Sequence, residues 1–554
     1  MKIRFLPTLV LASMLSLTGC MKGDIDDLQN QIDDLTSKVD ELEATQQEAL
    51  LKAIAELENK LSSLNSDLVA ELELIEQEIA NNADAVFYGN VLTEEDYAAL
   101  EAQGATIITG KVMVTQDAHV QALSNVKLIG KNLEINGGMD ITFDALQSIG
   151  EHLHISGLVN GAVVNLSRLS SVGGDVEITH NGGLTSLSAD ELVLVGGALH
   201  TEMNPEVTSM SFMKLDQVGS LYINGYWNAD PEEVGIGVMT RLELSSSDVK
   251  GNVDLSYIGA VDNISLGNIG GSFKGIYNKI AGISLESTKI PGDFILEFNP
   301  GLTTVDAGAL ERIEGKLSIR FNDNSIYWSA TEKSGLSAMP AFPALQYIGG
   351  DVELSNNSAM KTMEAFNAVT EVAGDYITIG YNGSDMDYVN VFNALVETGA
   401  SQFSNADVSI HAKTNWFKGF EALPIAKHVR LEILLPTEEG GGGIGPFAVN
   451  GIARVDGFDA MTELSTLTML IQEVTEFNAF GALNNFQNYQ TYLRVYMPND
   501  ENVGLCSMRP ILEKVKNGDF DLTYNENRKA FFSHNWSEMD RDLAIDQLLA
   551  PCGI

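Results

Sequence analysis

The sequence predicts a mainly β protein, a parallel β-solenoid with an N-terminal coiled-coil helix and a small helical C-terminal cap. A ten-residue phrase recurs, from VGGDVEITHN at 172–181 to IGGDVELSNN at 348–357. Within each copy apolar and polar residues alternate, as in a half-buried strand. One copy cannot bury its own apolar side. Copies about 23 residues apart are therefore expected to stack as the rungs of a solenoid.

Two positions recur in every copy of the phrase. The glycine near its start suits either a tight turn with positive φ or a close approach of two backbones. The asparagine at its end can bond backbone groups at the next bend, so stacked copies are expected to form a ladder. The ladder residues are Asn181, Asn204, Asn278, Asn299, Asn322 and Asn357.

Composition narrows the classes of partner. The 554-residue chain is 44% hydrophobic, which is ample for a large core. Acidic residues outnumber basic ones by 76 to 33, and the net charge of −43 disfavours nucleic acid and anionic polysaccharide as partners. Only three cysteines are present, so the chain is not a disulfide-dense scaffold.

The chain begins with the features of an export signal. In residues 1–19, Lys2 and Arg4 precede an apolar stretch that is too short for a transmembrane helix. The sequence LTGC at 17–20 resembles a bacterial lipobox, which implies cleavage before Cys20 and lipidation of that cysteine. A simple secretory signal with a chance cysteine is the alternative. We therefore expect a lipoprotein of the outer membrane, attached to it through lipid alone and exposed at the cell surface.

Residues 20–84 are predicted to form a coiled-coil stalk. Over 24–80 apolar residues follow a 3,4 spacing that no proline or glycine interrupts. The first part of this stripe is Ile25, Leu28, Ile32, Leu35, Val39 and Leu42. Isoleucine or valine at a with leucine at d favours a parallel dimer, and Lys38 and Glu43 fall at g and e positions suited to an interchain pair. We expect a homo-oligomer, dimer or trimer. The alternative is a helix folded back on the solenoid.

The solenoid needs a cap at each end. Residues 85–104 are predicted to be an N-terminal helical cap, because Thr93–Asp96 has the pattern of a capping box. The rungs then occupy 105–500. Residues 501–554 are predicted to be a C-terminal cap.

Two helices are predicted in the C-terminal cap, at 508–516 and 537–549. Cys506 precedes the first and Cys552 follows the second. In an exported protein this pair could close the cap as a disulfide, and two buried free thiols are the alternative.

The form L-x-L-x-x-N, preceded by Gly-Gly-Asp, matches the core pattern of leucine-rich repeats. With these residues the chain resembles receptor L-domains and the leucine-rich-repeat-like solenoids of cell-surface proteins. The resemblance covers roughly residues 105–500, as a repeat pattern. The segment LCSMRPILEKVKNGDF at 505–520 is also similar to the terminal caps of such proteins, which supports the disulfide.

No catalytic set is identified in the sequence. No Ser-His-Asp or Cys-His arrangement can be argued, and the abundant acids lack the basic cluster that a polysaccharide lyase would place beside them. His152 and His154 would lie on one side of a strand, but no third metal ligand is identifiable. We expect a protein that is not an enzyme and that holds neither a metal nor a cofactor.

Two columns of side chains are candidates for binding. Just before the asparagine position of the repeat, consecutive rungs carry Tyr257, Tyr277, Phe298 and Phe321. They are predicted to form either an internal aromatic ladder or an exposed strip that contacts a sugar or a protein. The outward strand positions form a second column of mixed character, which is Glu134, His154, Glu177, His200, Tyr222, Asp254, Lys274, Ser318 and Glu353.

The sequence thus favours a non-enzymatic role in adhesion, in which the solenoid binds a protein or a glycan at the cell surface. The alternative is a structural spacer of the envelope that faces the periplasm. A carbohydrate-active enzyme on a β-helix is the least favoured function.

Overall fold

The computed structural model of the chain describes residues 22–550, except 62–65, 139, 160, 226–237, 246, 325–333, 400–407, 435–452, 472–473, 484, 487–491, 494–508, 518–522, 526–529, 533–541, 543–544 and 547–549. Strands make up 39% of the structure and helices 18%. Two compact units are present: Met1–Tyr226 with Val238–Ser247, and Trp227–Gly237 with Asp248–Ile554. The signal segment, Cys20, Cys506 and Cys552 lie outside the described residues.

The helices are few and lie mostly near the N-terminus. They are α1 (Lys22–Leu61), α2 (Ser66–Asn81), α3 (Glu94–Gln103), α4 (Asp117–Ala122) and α5 (Arg509–Lys516), with a 3₁₀ turn at Ala83–Ala85. Helix α3 begins at a capping box, in which the Thr93 hydroxyl accepts from the Asp96 N–H and the Asp96 carboxylate accepts from the Thr93 N–H. The predicted C-terminal helix at 508–516 corresponds to α5. Most of the second predicted helix, 537–549, lies outside the described residues.

In the first unit, strands of successive rungs pair in parallel. The strands are β1 (Val86–Phe87), β2 (Ile107–Ile108), β3 (Val112–Val114), β4 (Leu128–Ile129), β5 (Leu133–Asn136), β6 (Asp140–Thr142), β7 (Ser148–Ile149), β8 (Leu153–Ser156), β9 (Ala162–Asn165), β10 (Ser171–Val172), β11 (Val176–Thr179), β12 (Leu184–Ser188), β13 (Leu194–Glu202), β14 (Ser209–Phe212), β15 (Gln217–Asn224) and β16 (Arg241–Leu244). A main stack runs β3-β5-β8-β11-β13-β15, and a second stack on another side of the rungs runs β6-β9-β12-β14-β16.

Strand β17 (Ser247–Val249) lies at the boundary of the units, and the second unit repeats the same plan. Its strands are β18 (Val253–Ser256), β19 (Asn263–Ile269), β20 (Phe273–Ile276), β21 (Gly282–Leu285), β22 (Lys289–Ile290), β23 (Phe294–Glu297), β24 (Thr304–Asp306), β25 (Arg312–Ile313), β26 (Leu317–Arg320), β27 (Tyr347–Ile348), β28 (Val352–Ser355), β29 (Thr362–Ala365), β30 (Glu371–Val372), β31 (Ile377–Met386), β32 (Tyr388–Val391), β33 (Glu397–Thr398), β34 (Val408–Thr414), β35 (Trp416–Gly419), β36 (Ile425–Leu434), β37 (Ala453–Gly457), β38 (Glu463–Ile471), β39 (Val474–Ala479), β40 (Asn485–Phe486), β41 (Tyr492–Leu493), β42 (Thr523–Asn525) and β43 (Ala530–Phe532).

The main stack of the second unit runs β18-β20-β23-β26-β28-β31-β34-β36-β38 in parallel register. Stacks β22-β25-β27-β30-β33 and β29-β32-β35-β37-β39 lie on other sides of the rungs. Only β43 pairs antiparallel among the described strands, with β41 and β42. The described residues make about 14 turns of parallel β-solenoid, which confirms the predicted fold class.

Asparagine side chains join successive rungs at one corner. The six predicted ladder residues are all at most 5% exposed. In each, Nδ2 donates to a backbone carbonyl of the preceding rung, at 2.7–3.1 Å. For example, Asn357 donates to the Ile319 carbonyl at 3.0 Å, and its Oδ1 accepts from the Asn322 N–H at 3.0 Å. One amide therefore satisfies a donor and an acceptor that the turn removes from the strand ladder.

The hydrogen bonds of each ladder asparagine form a bridge to the preceding rung, and this bridge always ends at the same position of the repeat. The carbonyl that accepts from the asparagine always lies three residues before the corner position of the preceding rung. This holds even where that position is not asparagine: Asn278 donates to the Leu255 carbonyl at 2.7 Å and accepts from the Ile258 N–H at 2.9 Å. Asn382 makes the same bridge, to the Leu354 carbonyl at 2.7 Å, although the repeat pattern did not single it out.

The recurring glycine allows rungs to approach closely. A Cβ at Gly315 would lie 2.7 Å from the carbonyl carbon of Gly292, and one at Gly350 would lie 2.8 Å from that of Gly315. Neither glycine has a positive φ. Of the two predicted reasons for glycine here, close backbone approach is therefore the one that applies.

The N-terminal helices differ from the predicted stalk. Leu50 and Ile54 of α1 share one buried cluster with Leu72, Ile75 and Ile79 of α2 and with solenoid residues that include Ile107 and Leu128. In one straight helix, Ile54 and Ile79 would lie about 37 Å apart. The prediction of a continuous stalk over 20–84 is therefore wrong from Leu50 onward, where the helices fold back on the solenoid as the alternative expected.

Polar contacts hold the helices in place on the first unit. The Thr109 hydroxyl donates to Gln46 at 3.0 Å, and the Tyr88 hydroxyl donates to Gln47 at 3.2 Å. Glu78 of α2 accepts from Thr106 and from Lys127, each at 2.8 Å. Helices α1 and α2 thus cover part of the first rungs.

We predict that Asn357→Ala lowers the free energy of unfolding of the chain by about 2–5 kcal/mol, because it leaves the Ile319 carbonyl and the Asn322 N–H buried without a partner. Urea unfolding followed by circular dichroism measures this. As a control, Asn263→Ala, at an exposed strand end, should change the free energy by no more than about 0.5 kcal/mol. Equal effects of the two substitutions would contradict a bridging role for the ladder asparagine.

Candidate functional site

A backbone feature precedes the ladder asparagines. The residue before the corner has a φ between 53° and 59° in seven described rungs, and these residues are His180, Met203, Tyr257, Tyr277, Phe298, Phe321 and Asn356. Gly157 takes the same place with a φ of 69°. This left-handed conformation costs roughly 1–2 kcal/mol for residues other than glycine and asparagine. Four bulky aromatic residues in succession therefore occupy a position that glycine or asparagine would fill with less strain.

The four aromatic rings form one continuous stack, the aromatic strip (Tyr257, Tyr277, Phe298 and Phe321). Their centroids are 5.2, 4.7 and 4.7 Å apart in chain order, and the ring planes are within 8° of parallel. All four side chains are half-buried. The strip thus lies between the two predicted alternatives, an internal ladder and an exposed strip. It is a surface row set into the corner.

The stack restricts what the strip can contact. Tyr277 and Phe298 each have an aromatic neighbour on both faces of the ring, so a ligand reaches only the edges of these two rings. Burial raises the pKa of Tyr277, and the neighbouring Tyr257 and Glu297 add to that rise. The Tyr277 hydroxyl is therefore neutral at physiological pH and can donate a hydrogen bond.

A charge network lies beside the strip, on the outward side of β23, β26 and β28. Arg320 contacts Glu297 at 2.9 Å and Glu353 at 2.7 Å, and Lys316 contacts Glu353 at 3.2 Å. The Ser318 hydroxyl donates to Glu297 at 2.6 Å. These contacts fix the side chains of three rungs relative to one another.

The charge network controls the ionisation of its half-buried acid, Glu297. Burial alone would raise the pKa of Glu297, but hydrogen bonds from Arg320 and Ser318 and the charges of Arg320 and Lys316 lower it below its ordinary value. Glu297 is therefore ionised throughout the neutral range, and its negative charge is matched by the positive charge of Arg320. Arg320 also lies 6.0 Å from the centre of the Phe321 ring, so the network and the aromatic strip form one surface.

The other residues of the predicted outward column are mostly charged or polar. In the first unit, Glu134, His154, Glu177, His200 and Tyr222 are neighbours in register. His154 lies 3.2 Å from Glu177, and the ring of His200 meets that of Tyr222 edge to face at 5.9 Å. In the second unit, Lys274 pairs with Asp254 at 2.8 Å. The column is a surface of charged and polar side chains in close pairs, with the aromatic ring of Tyr222 among them.

A second aromatic column is buried, and sequence reasoning missed it. It consists of Phe342, Phe366, Phe392, Phe420, Phe458 and Phe480, all at most 2% exposed and all with positive φ. Successive rings stack at 4.7–5.5 Å. A signal was present, because each phenylalanine begins the pattern Phe-x-Ala followed by leucine, valine or methionine.

The described residues hold neither a cluster of metal-ligating side chains nor a helix that could span a membrane. Within the ranges that the structure describes, no three His, Cys, Asp or Glu side chains come together as a metal site. Among those same residues, no helix has the length and apolar character needed to span a membrane. The predicted lipidation site and the predicted disulfide concern cysteines that lie outside these ranges.

Comparison with known proteins adds one similar structure. No family model and no curated protein matches the sequence. A leucine-rich repeat protein from Bacteroides ovatus ATCC 8483 is 15% identical, covers 62% of this chain and 87% of its own, and gives a TM-score of 0.17. Because that score is low, the strand register and the repeat itself carry the assignment. The chain is a parallel β-solenoid whose repeat pattern resembles that of leucine-rich repeats.

We predict that the two aromatic columns respond differently to the same substitution. Phe366→Asn removes a fully buried ring and should cost at least about 3–5 kcal/mol of unfolding free energy. Tyr277→Asn gives the same relief of backbone strain but removes only a half-buried ring and two stacking contacts, so it should cost at most about 2 kcal/mol. Chemical denaturation of both variants measures the difference. A similar loss in the two would place Tyr277 in the core instead of at a binding surface.

Proposed function

We propose that the chain is a lipid-anchored protein of the bacterial cell envelope whose solenoid binds a protein partner at the cell surface, without catalysis. The aromatic strip and the charge network beside it carry this proposal. They are held by strand register and ion pairs, so little conformational freedom is lost when a partner docks.

The chemistry of this surface favours a protein over a glycan. A sugar ring packs its C–H groups against the open face of an aromatic ring, and the faces of Tyr277 and Phe298 are occupied by neighbouring rings. Ring edges, a tyrosine hydroxyl and an arginine in a paired network suit a protein interface, where tyrosine and arginine are enriched. The net charge of −43 further favours a partner whose contacting surface is not acidic.

The proposed location depends on the N-terminal sequence. Lipidation of Cys20 would hold the protein at a membrane, and removal of residues 1–19 would leave the helices of the N-terminal region between that anchor and the solenoid. Asp24, Asp26 and Asp27, soon after Cys20, are compatible with export of the lipoprotein to the surface.

We predict that the double variant Tyr277→Asn with Phe298→Asn binds its protein partner at least about tenfold more weakly, a loss of about 1.4 kcal/mol. The partner is first sought by probing arrays of extracellular proteins and of glycans with the purified chain. Tyr388→Asn is the matched control, since Tyr388 is half-buried but lies on β32, in another stack. Unchanged affinity in the double variant, or binding to glycans alone, would contradict the proposed interface.

We predict that protease added to intact cells cleaves the wild-type protein, and that Cys20→Ser moves the protein from the membrane fraction to the soluble fraction. Immunoblots with an antibody to the solenoid report both results. A periplasmic protein serves as the control for cell integrity. Protection from protease until the envelope is permeabilised would support the alternative, a spacer that faces the periplasm.

A further inference from the structure

The N-terminal half of α1 carries apolar side chains that face solvent. Leu35 is 57% exposed and Leu42 is 60% exposed, and Val39 between them is only half-buried. We call these three residues the α1 stripe. From Leu50 onward the situation is reversed, because Leu50 and Ile54 are at most 3% exposed and pack on α2 and the solenoid. Among the described side chains of α1, those of Leu50 and Ile54 are thus covered, whereas those of Leu35 and Leu42 face solvent.

We propose that a second copy of this chain covers the α1 stripe, as a parallel, in-register, two-stranded coiled coil. The stripe follows the 3,4 spacing of such a seam, with β-branched Val39 at an a position and leucine at the d positions on either side. The sequence continues the same spacing back to Ile25. This choice of residues at a and d favours two strands over three.

Charges beside the stripe complement a second copy in parallel orientation. Lys38 at g and Glu43 at the following e position would pair between the two chains. Within one chain Lys38 lies 2.8 Å from Asp34, but both side chains are about two-thirds exposed, at 65% and 66%. Such a solvated pair contributes little and does not hold Lys38 away from a partner.

The lengths of the two helices explain why α2 does not cover the α1 stripe. Helix α2 has 16 residues and packs beside the later part of α1, which has 40. Because α2 ends after about 24 Å, it does not reach the first turns of α1. The fold thus separates two uses of one heptad pattern: the later part anchors α1 on the solenoid, and the earlier part is left for a second copy.

The proposal is tested by the mass in solution of the full chain carrying Cys20→Ser. This variant has no attached acyl chain. Light scattering should give twice the chain mass of 59.8 kDa. The variant Leu35→Asp with Leu42→Asp should halve that mass, while the circular dichroism and melting temperature of the solenoid are retained. Leu74→Asp is the matched control and should leave the mass doubled, because Leu74 is 63% exposed but lies on α2.

A monomeric parent, a trimer, or a double variant that stays dimeric would each overturn the proposal.

Cross-linking tests the orientation of the two helices. With Val39→Cys, mild oxidation should join the two copies, since a positions face each other only in the parallel, in-register pair. Asp40→Cys should not cross-link, and cross-linking at Asp40→Cys but not at Val39→Cys would also overturn it. These experiments need no ligand, so their outcome is independent of the binding surface. The variant Tyr277→Asn with Phe298→Asn should remain dimeric.

Discussion

The buried asparagine at the corner of each rung is the interaction on which the rest of the structure depends. Where the chain leaves a long strand, its backbone N–H and carbonyl groups can no longer pair with the next strand, and an unpaired buried group costs roughly 1–3 kcal/mol. The side chain of one asparagine meets both needs, as at Asn357 and Asn299. Successive rungs can therefore turn at the same position of the repeat.

The corner also produces the surface proposed to bind. A left-handed residue directs the chain around the bend and places its side chain at the rim, just outside the buried asparagine. Where the rim residue is aromatic in four successive rungs, the rung spacing brings the rings within 5.2 Å of one another. The stack and the ion pairs of Arg320 follow from the register of the strands and not from local sequence alone.

Much of this plan was readable in the sequence, and the exceptions have physical causes. The periodic glycine and asparagine predicted the stacked coils and the ladder. Asn382 was not predicted as a ladder residue because it follows Gly374 by eight residues, whereas Asn357 follows Gly350 by seven. The buried phenylalanines were not predicted because they lie outside the Gly–Asn phrase, in another part of each rung. Ile54 falls within the predicted stalk because a 3,4 spacing of apolar residues is the same whether the partner helix lies in the same chain or in another.

An experimentally determined atomic structure of the full chain tests the central claim most directly. It should show the ladder asparagines of each unit aligned in a column, with each Nδ2 within about 3.2 Å of the carbonyl three residues before the corner of the preceding rung. Asparagine side chains that point to solvent, or that lie at different places around the coil from rung to rung, would contradict it.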